Sequence, residues 1–141
     1  MKTTPDALAA LIGQRVDLID TPALVVDLDA MERNIQRMAD FARKHQVRWR
    51  PHAKMHKSAE LALLLQQAGA QGVCVQKVSE AEALAAGGVL DITITNEVIA
   101  MPKLHRAARL ATQLAARGGR LGVAVDHIDG IARLAEAMAQ S

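Results

Sequence analysis

Tyrosine is absent from this chain, and Phe41 and Trp49 are its only aromatic side chains. A core built from such a sequence must be aliphatic, and few rings are at hand to wall a pocket, as they do in many cofactor sites. Cysteine is nearly absent as well. Cys74 stands alone, so no internal disulfide can form, and residence in the cytoplasm is the expectation. No apolar run approaches the roughly 18 residues that suggest a membrane-spanning helix. Residues 1–20 hold one short apolar stretch, Ala7–Ile12, with Asp6 before it and Gln14, Arg15 and Asp17 after it, which does not read as a secretory signal. Charge of one sign is not concentrated either. The chain carries 17 Lys and Arg against 15 Asp and Glu, scattered among one another, so the basic stripe of a nucleic-acid-binding face is missing.

What is present is an ordinary globular composition, 50% hydrophobic and 23% charged over 141 residues, enough for one compact domain. Short β-branched runs alternate with longer helical patterns. Ala23–Val26 reads as a strand, followed by a helix over Met31–Lys44, where Met31, Ile35, Met38 and Phe41 recur at helical spacing and Asp27 or Asp29 offers an N-cap. Val47–Ala53 reads as a second strand, with a helix from about Ser58 to Ala68 ending at Gly69. Gly72–Gln76 is the third strand. The next helix is expected to open on a capping box in Ser79-Glu80-Ala81-Glu82 and to stop at Gly87-Gly88. Asp91–Thr95 is the fourth strand, and Pro102 suits the first turn of a helix running to about Arg117. Arg120–Val125 is the fifth strand and Ile128–Ala139 the last helix.

Five βα units at a spacing of about 25 residues imply parallel strands, because parallel neighbours need a long return connection. The pattern leaves two architectures open: a doubly wound sheet, or part of a (β/α)8 barrel.

The stretch from Val47 to Ser58 is the chemically informative one. Side chains on a strand alternate, so Arg50, His52 and Lys54 would share a face if the extended conformation persists through Lys54. A lysine at the carboxyl end of a parallel strand sits where α/β enzymes collect their active sites. Solvated lysines at strand ends are nonetheless common, and spacing alone does not choose between the two.

Arg50-Pro51-His52-Ala53-Lys54-Met55-His56-Lys57 resembles the cofactor-lysine motif of the D-threonine aldolase, D-3-hydroxyaspartate aldolase and eukaryotic-type D-serine dehydratase family. Three further segments resemble that family in the same order: Thr21–Asp29 before the motif, then Gly72–Glu82, then Asp91–Val98. The resemblance implies a pyridoxal 5'-phosphate (PLP) enzyme on a TIM-type (β/α)8 barrel of the alanine racemase N-terminal kind. About five βα units of that barrel would be present, in residues 21–141, after a lead segment at 1–20. The rest of the barrel, its glycine-rich phosphate loops and a C-terminal β domain would lie elsewhere. The fragment alone is then expected to be inactive.

By the same resemblance Lys54 carries PLP as a Schiff base, and Lys57 is the motif's second lysine, a helix-start group. His52 is a candidate for packing against the cofactor or assisting proton transfer, since imidazole titrates near neutrality. Gln76, Arg50 and Asn96 are candidate cofactor contacts, each with an equally ordinary role as a polar strand residue. No metal ligands are expected here. The divalent metal implied for the full-length family enzyme would be held by residues outside this chain, His56 being more simply a structural histidine and Cys74 an inert buried thiol. The expected activity is that of a lyase cleaving D-3-hydroxy amino acids to glycine and an aldehyde, in an enzyme that could be homo-oligomeric. D-serine dehydratase is the alternative within the family, and a non-catalytic PLP-binding homeostasis protein the rival outside it.

Overall fold

The computed structural model describes residues 9–141. The start of Ala7–Ile12 and most of the first half of the expected lead segment lie outside the described residues. The chain divides into two compact units, Met1–Arg33 and Asn34–Ser141. Among the described residues no helix is long and apolar enough to cross a membrane.

In the first unit a 3-10 turn covers Val16–Leu18, and Arg15 pairs with Asp17 at 2.9 Å on an exposed surface. Ala23–Val26, expected as the first strand, joins no ladder, and Leu24 is 83% exposed. Strand propensity measures how well a side chain suits a pleated surface, whereas a strand also needs a partner for its backbone. The helix α1, Leu28–Lys44, crosses the boundary between the units. Asp27 is its cap: Oδ1 accepts the Ala30 N–H at 2.9 Å, as the sequence suggests.

The second unit continues with α2 (Ala59–Gln67), β1 (Val73–Val75), α3 (Val78–Ala86), β2 (Asp91–Ile94), α4 (Met101–Ala115), β3 (Arg120–Val123) and α5 (Ile128–Ala139). The three strands are parallel in the order β1-β2-β3. Val73 lies opposite Ile92, and Ile92 opposite Leu121. Strands in chain order, each followed by a helix and with no reversal of order, form an arc of a (β/α)8 barrel; a doubly wound sheet needs a switch point.

The second expected strand is also not a full strand. The Trp49 carbonyl accepts from Gln71 N–H at 3.0 Å and the Pro51 carbonyl from Cys74 N–H at 2.8 Å, but among the described residues its ladder pairing is limited to an isolated bridge between His52 and Cys74. Pro51 has no N–H to return. A 3-10 turn over Ala53–Met55 follows at once. The extended conformation therefore ends before Lys54, and the alternation that would put Arg50, His52 and Lys54 on one face is broken.

Helix starts explain why the chain turns where it does. Ser58 Oγ accepts the Leu61 N–H at 3.2 Å to open α2. The capping box expected at Ser79-Glu82 does not form, because α3 begins earlier. Glu80, its third residue, reaches back so that one carboxylate oxygen accepts the N–H of Gln76 at 3.0 Å and of Lys77 at 3.3 Å. The Lys77 ammonium has no lone pair, so this is only the glutamate half of a capping box. Pro102 occupies the first turn of α4 as expected.

The core is aliphatic throughout. Val73, Val75, Ile92 and Ile94 are fully buried and pack with Ala62, Ala81, Leu84, Ala107, Leu110 and Leu114 of α2, α3 and α4. The alternate strand positions, Cys74 and Thr93, are half-buried on the other face. At the amino ends of the strands Asp91 accepts from Arg50 at 2.7 Å and Arg120 at 2.9 Å.

Gly72, just before β1, has φ +145°, and a Cβ there would run into the Asp91 carbonyl oxygen and the Arg50 guanidinium. Gly72→Ala is expected to destabilise the complete gene product by about 2–3 kcal/mol, from backbone strain together with displacement of that ion pair. Urea unfolding measures it, and a loss below about 0.5 kcal/mol, the range of an ordinary surface substitution, would show that the strand start yields freely.

Candidate active site

His52, Lys54, Gln76, Thr95 and Asn96 all lie at the carboxyl ends of the strands, and direct contacts join Lys54, His52 and Thr95. His52 is the bridge residue of its segment, and Lys54, Gln76, Thr95 and Asn96 come just after the last ladder positions of theirs, where the backbone leaves the sheet. His52 is the N-cap of the 3-10 turn. Its Nδ1 accepts the main-chain N–H of Lys54 at 3.2 Å, which fixes the backbone from which the lysine side chain springs. Its Nε2 lies 3.2 Å from Thr95 Oγ1, just beyond β2. Thr95 in turn donates its hydroxyl to the Val75 carbonyl at 3.1 Å.

The two motif lysines differ in what they touch. Lys57 lies 3.7 Å from Glu80, the carboxylate that caps α3. Lys54 is exposed and enters no ion pair among the described residues. Lys57 also closes the turn, with φ +52° and its N–H bonded to the Ala53 carbonyl at 2.7 Å. One lysine is thus committed to the scaffold and the other is available.

Gln76 has an exposed side chain on the edge of a cavity of about 380 Å³ that Lys77, Lys103 and Arg106 also line, while its main-chain N–H is taken by Glu80. Asn96 is exposed, one residue past Thr95. Arg50 is not at this end of the sheet. Its guanidinium bonds the Asp91 carboxylate at the first position of β2, level with Gly72 and Arg120, so the structure does not bring it to Lys54 as the sequence suggests. Thr95, bonded to His52, and Glu80, bonded to the Gln76 N–H, also stand at this end, where sequence reasoning did not single them out. Their signal was present only as a position, the first residue past a strand and the third of a helix.

Electrostatics set the two histidines of the motif apart from ordinary surface ones. Burial lowers the pKa of His52, the Lys54 charge lowers it further, and Glu80 opposes them. Burial also lowers that of His56, against a weaker opposing effect from its bond with Ser58. His56 Nδ1 accepts the Ser58 N–H at 3.1 Å, and its buried Nε2 has no partner among the described residues. Cys74 has its thiol pKa raised by burial, with Arg50 opposing, which is the condition of an unreactive thiol. Among the described residues no group of three His, Cys, Asp or Glu is placed to hold a metal ion.

A sheet of consecutive parallel strands with an available lysine on a turn beyond the carboxyl ends defines the class as a lysine-bearing (β/α)8 barrel segment. The chain belongs to the alanine racemase, N-terminal domain family, which it matches over residues 26–141. It is 47% identical over 131 residues to 3-hydroxy-D-aspartate aldolase of Paracoccus denitrificans (strain Pd 1222), covering 92% of this chain and 33% of that protein. It is 42% identical over 110 residues to D-threo-3-hydroxyaspartate dehydratase of Delftia sp. (strain HT23), covering 78% and 28%. The crystal structure of D-threonine aldolase from Filomicrobium marinum superposes with a TM-score of 0.80 at 49% identity, over 86% of this chain and 32% of that one. The chain therefore spans about a third of the length of the relatives it matches.

The lowered histidine pKa values carry a prediction about acid stability. Burial makes both rings harder to protonate in the fold than in the unfolded chain, so the unfolded chain binds more protons once pH falls below the ordinary histidine pKa of about 6.5. Their contribution is fully present above that pH and is lost as pH falls through the lower folded values. Denaturant unfolding from pH 8 to 5 should show falling stability, and replacing both His52 and His56 by Gln should flatten the slope. An unchanged slope would place the acid sensitivity elsewhere.

Proposed function

We propose that this chain supplies the lysine-bearing part of the active site of a PLP-dependent lyase acting on D-3-hydroxy amino acids, of the D-threonine aldolase type. The observation that carries the reading is Lys54: without an ion pair among the described residues, at the carboxyl ends of the strands, on a turn whose main chain is held by His52. The donor set fits such a cofactor. A primary amine suits its carbonyl, and the polar groups Gln76 and Asn96, like His52 at the carboxyl ends of the strands, suit its ring and hydroxyl. When bound, PLP supplies an electron sink for the pair left when a bond at the substrate Cα breaks.

The chain's own residues provide attachment and positioning. Lys54 is the covalent attachment point. His52 holds the Lys54 main chain through Nδ1 and is engaged at Nε2 as well, so its role is to fix the turn. Gln76 and Asn96 are polar contacts for the cofactor or substrate, Lys57 belongs to the Glu80 cap, and Arg50 serves the sheet. Any divalent metal is held by residues outside these 141.

The reaction is carbon–carbon cleavage, in which the β-hydroxyl loses a proton, the Cα–Cβ bond breaks, and Cα gains a proton to give glycine beside the aldehyde. Loss of water from the same substrate class is the second reading, favoured by the 42% identity to a dehydratase.

Incubation of the complete gene product with PLP and D-threonine or D-3-hydroxyaspartate distinguishes them: glycine is expected, and a 2-oxo acid instead would identify the dehydratase. Borohydride reduction and peptide mapping should place the phosphopyridoxyl group on Lys54, and a label on Lys57 or Lys77 would overturn the assignment. The 141-residue chain expressed alone is expected to give no glycine even with PLP added. Its three described strands close no barrel, and the outer edge of β3 has no partner among the described residues. Measurable turnover by that chain would refute this.

A further inference from the structure

The ring of His52 is held from both sides, and the two bonds together decide where its proton sits. The Lys54 main-chain nitrogen can only donate, and it lies 3.2 Å from Nδ1. Nδ1 is therefore the bare nitrogen, and the neutral ring carries its proton on Nε2. The opposite tautomer would set two donors against each other. Nε2–H needs an acceptor, and Thr95 Oγ1 stands 3.2 Å away. That oxygen is free to accept because its own proton goes to the Val75 carbonyl at 3.1 Å.

The bond from Thr95 to Val75 is not needed to close the sheet. The main-chain N–H of Thr95 already donates to the same carbonyl at 2.9 Å. What the hydroxyl adds is a direction: with its proton turned toward Val75, a lone pair is left for His52. The donors and acceptors then run in one sense, from the Lys54 N–H to His52 Nδ1, from His52 Nε2–H to Thr95 Oγ1, and from the Thr95 hydroxyl to the strand carbonyl.

We propose that Thr95 is a positioning residue for Lys54, acting through His52: it fixes the imidazole as the Nε2–H tautomer in the orientation that holds the Lys54 turn. The proposal rests on the reading of Lys54 as the covalent lysine. It assigns to the end of β2 a role in presenting a side chain of a different segment, 41 residues earlier in the chain. The charged groups that bear on the ring are Lys54 on its own turn and Glu80 of α3, the latter itself tied to Lys57.

Valine is the isosteric substitution that keeps the ladder bond of residue 95 and removes its hydroxyl, while serine keeps both. In the complete gene product, absorbance titration with PLP reads how well Lys54 is presented. Thr95→Val should weaken apparent PLP affinity roughly three- to tenfold, the scale of one lost hydrogen bond, and Thr95→Ser should stay within about twofold. In a His52→Ala background Thr95→Val should change affinity by less than about twofold, because the pair acts as a unit. An equal loss in both backgrounds would mean that Thr95 acts on the sheet alone, and no loss in the parent would mean that it does not act; either outcome overturns the proposal. A parent protein that attaches no PLP at Lys54 sinks the reading of the site instead. The relay is then judged on cofactor-free protein by the histidine nitrogen-15 spectrum at alkaline pH. There a bare Nδ1 and a protonated Nε2 on His52, with a Thr95→Val spectrum that differs, are expected. A protonated Nδ1, or an unaltered spectrum in the variant, overturns it.

Discussion

The Asp91 carboxylate anchors the arrangement on which the site depends. One oxygen takes Arg50 at 2.7 Å, the other takes Arg120 at 2.9 Å, and Asp91 is the first residue of β2. Three chain segments far apart in sequence are thereby tied at the amino ends of the strands. Burial by itself would raise the pKa of Asp91, but the hydrogen bonds and charges of the two arginines outweigh it and hold the carboxyl below its usual range. The pair with Arg50 is largely removed from solvent, so breaking it would leave a charge without its partner, which costs far more than losing a surface ion pair. With the starts registered, the carboxyl ends of β1 and β2, and the turn after His52, fall side by side.

The sheet above this anchor has two unlike faces. Toward the helices it shows Val73, Val75, Ile92 and Ile94, all fully buried; the alternate positions are Cys74, Thr93 and Gly122, small and half-buried. A parallel sheet covered only by helices on both sides would read as continuous large aliphatics. Small side chains on one face suit the tapered interior of a barrel, where alternate strands fill layers and space is short. The asymmetry is therefore a property of barrel strands written into the strand sequences themselves.

Helices were more legible than strands, for a physical reason. A helix closes its hydrogen bonds within its own segment, so Asp27 as a cap, Pro102 in a first turn and the recurrence of Met31, Ile35 and Met38 suffice to announce one. A strand is completed by another segment. Ala23–Val26 has the right residues and no ladder, and Val47–Ala53 is cut short by Pro51 and by the His52 cap. The capping box was misplaced by the same kind of competition: Ser79 and Glu82 have the spacing, but Glu80 reaches the N–H groups of Gln76 and Lys77 and starts the helix sooner. The reading of Lys54 comes from a resemblance and not from strand pattern, which the turn at Ala53–Met55 interrupts. Arg50 was misjudged in placement because strand alternation ignores which end of the sheet a long side chain turns toward.

The contact of Thr95 with His52 was not legible in the sequence, because it depends on where two strand ends meet. A strand that stops leaves carbonyls and N–H groups without ladder partners, and these must be satisfied by side chains or water. At the carboxyl ends here His52 takes the Lys54 N–H and Glu80 the Gln76 N–H, while the Thr95 hydroxyl adds a second donor to a Val75 carbonyl that already has its main-chain partner; each is a polar group that would be costly in the aliphatic core beneath. A polar group hydrogen-bonded at a strand end has a fixed orientation and a defined proton, which are the properties a site needs of a positioning residue. The gathering of functional groups at this end of the sheet follows from the backbone's own demand for partners where the ladder runs out, and the free amine of Lys54 stands among groups that the fold had to order in any case.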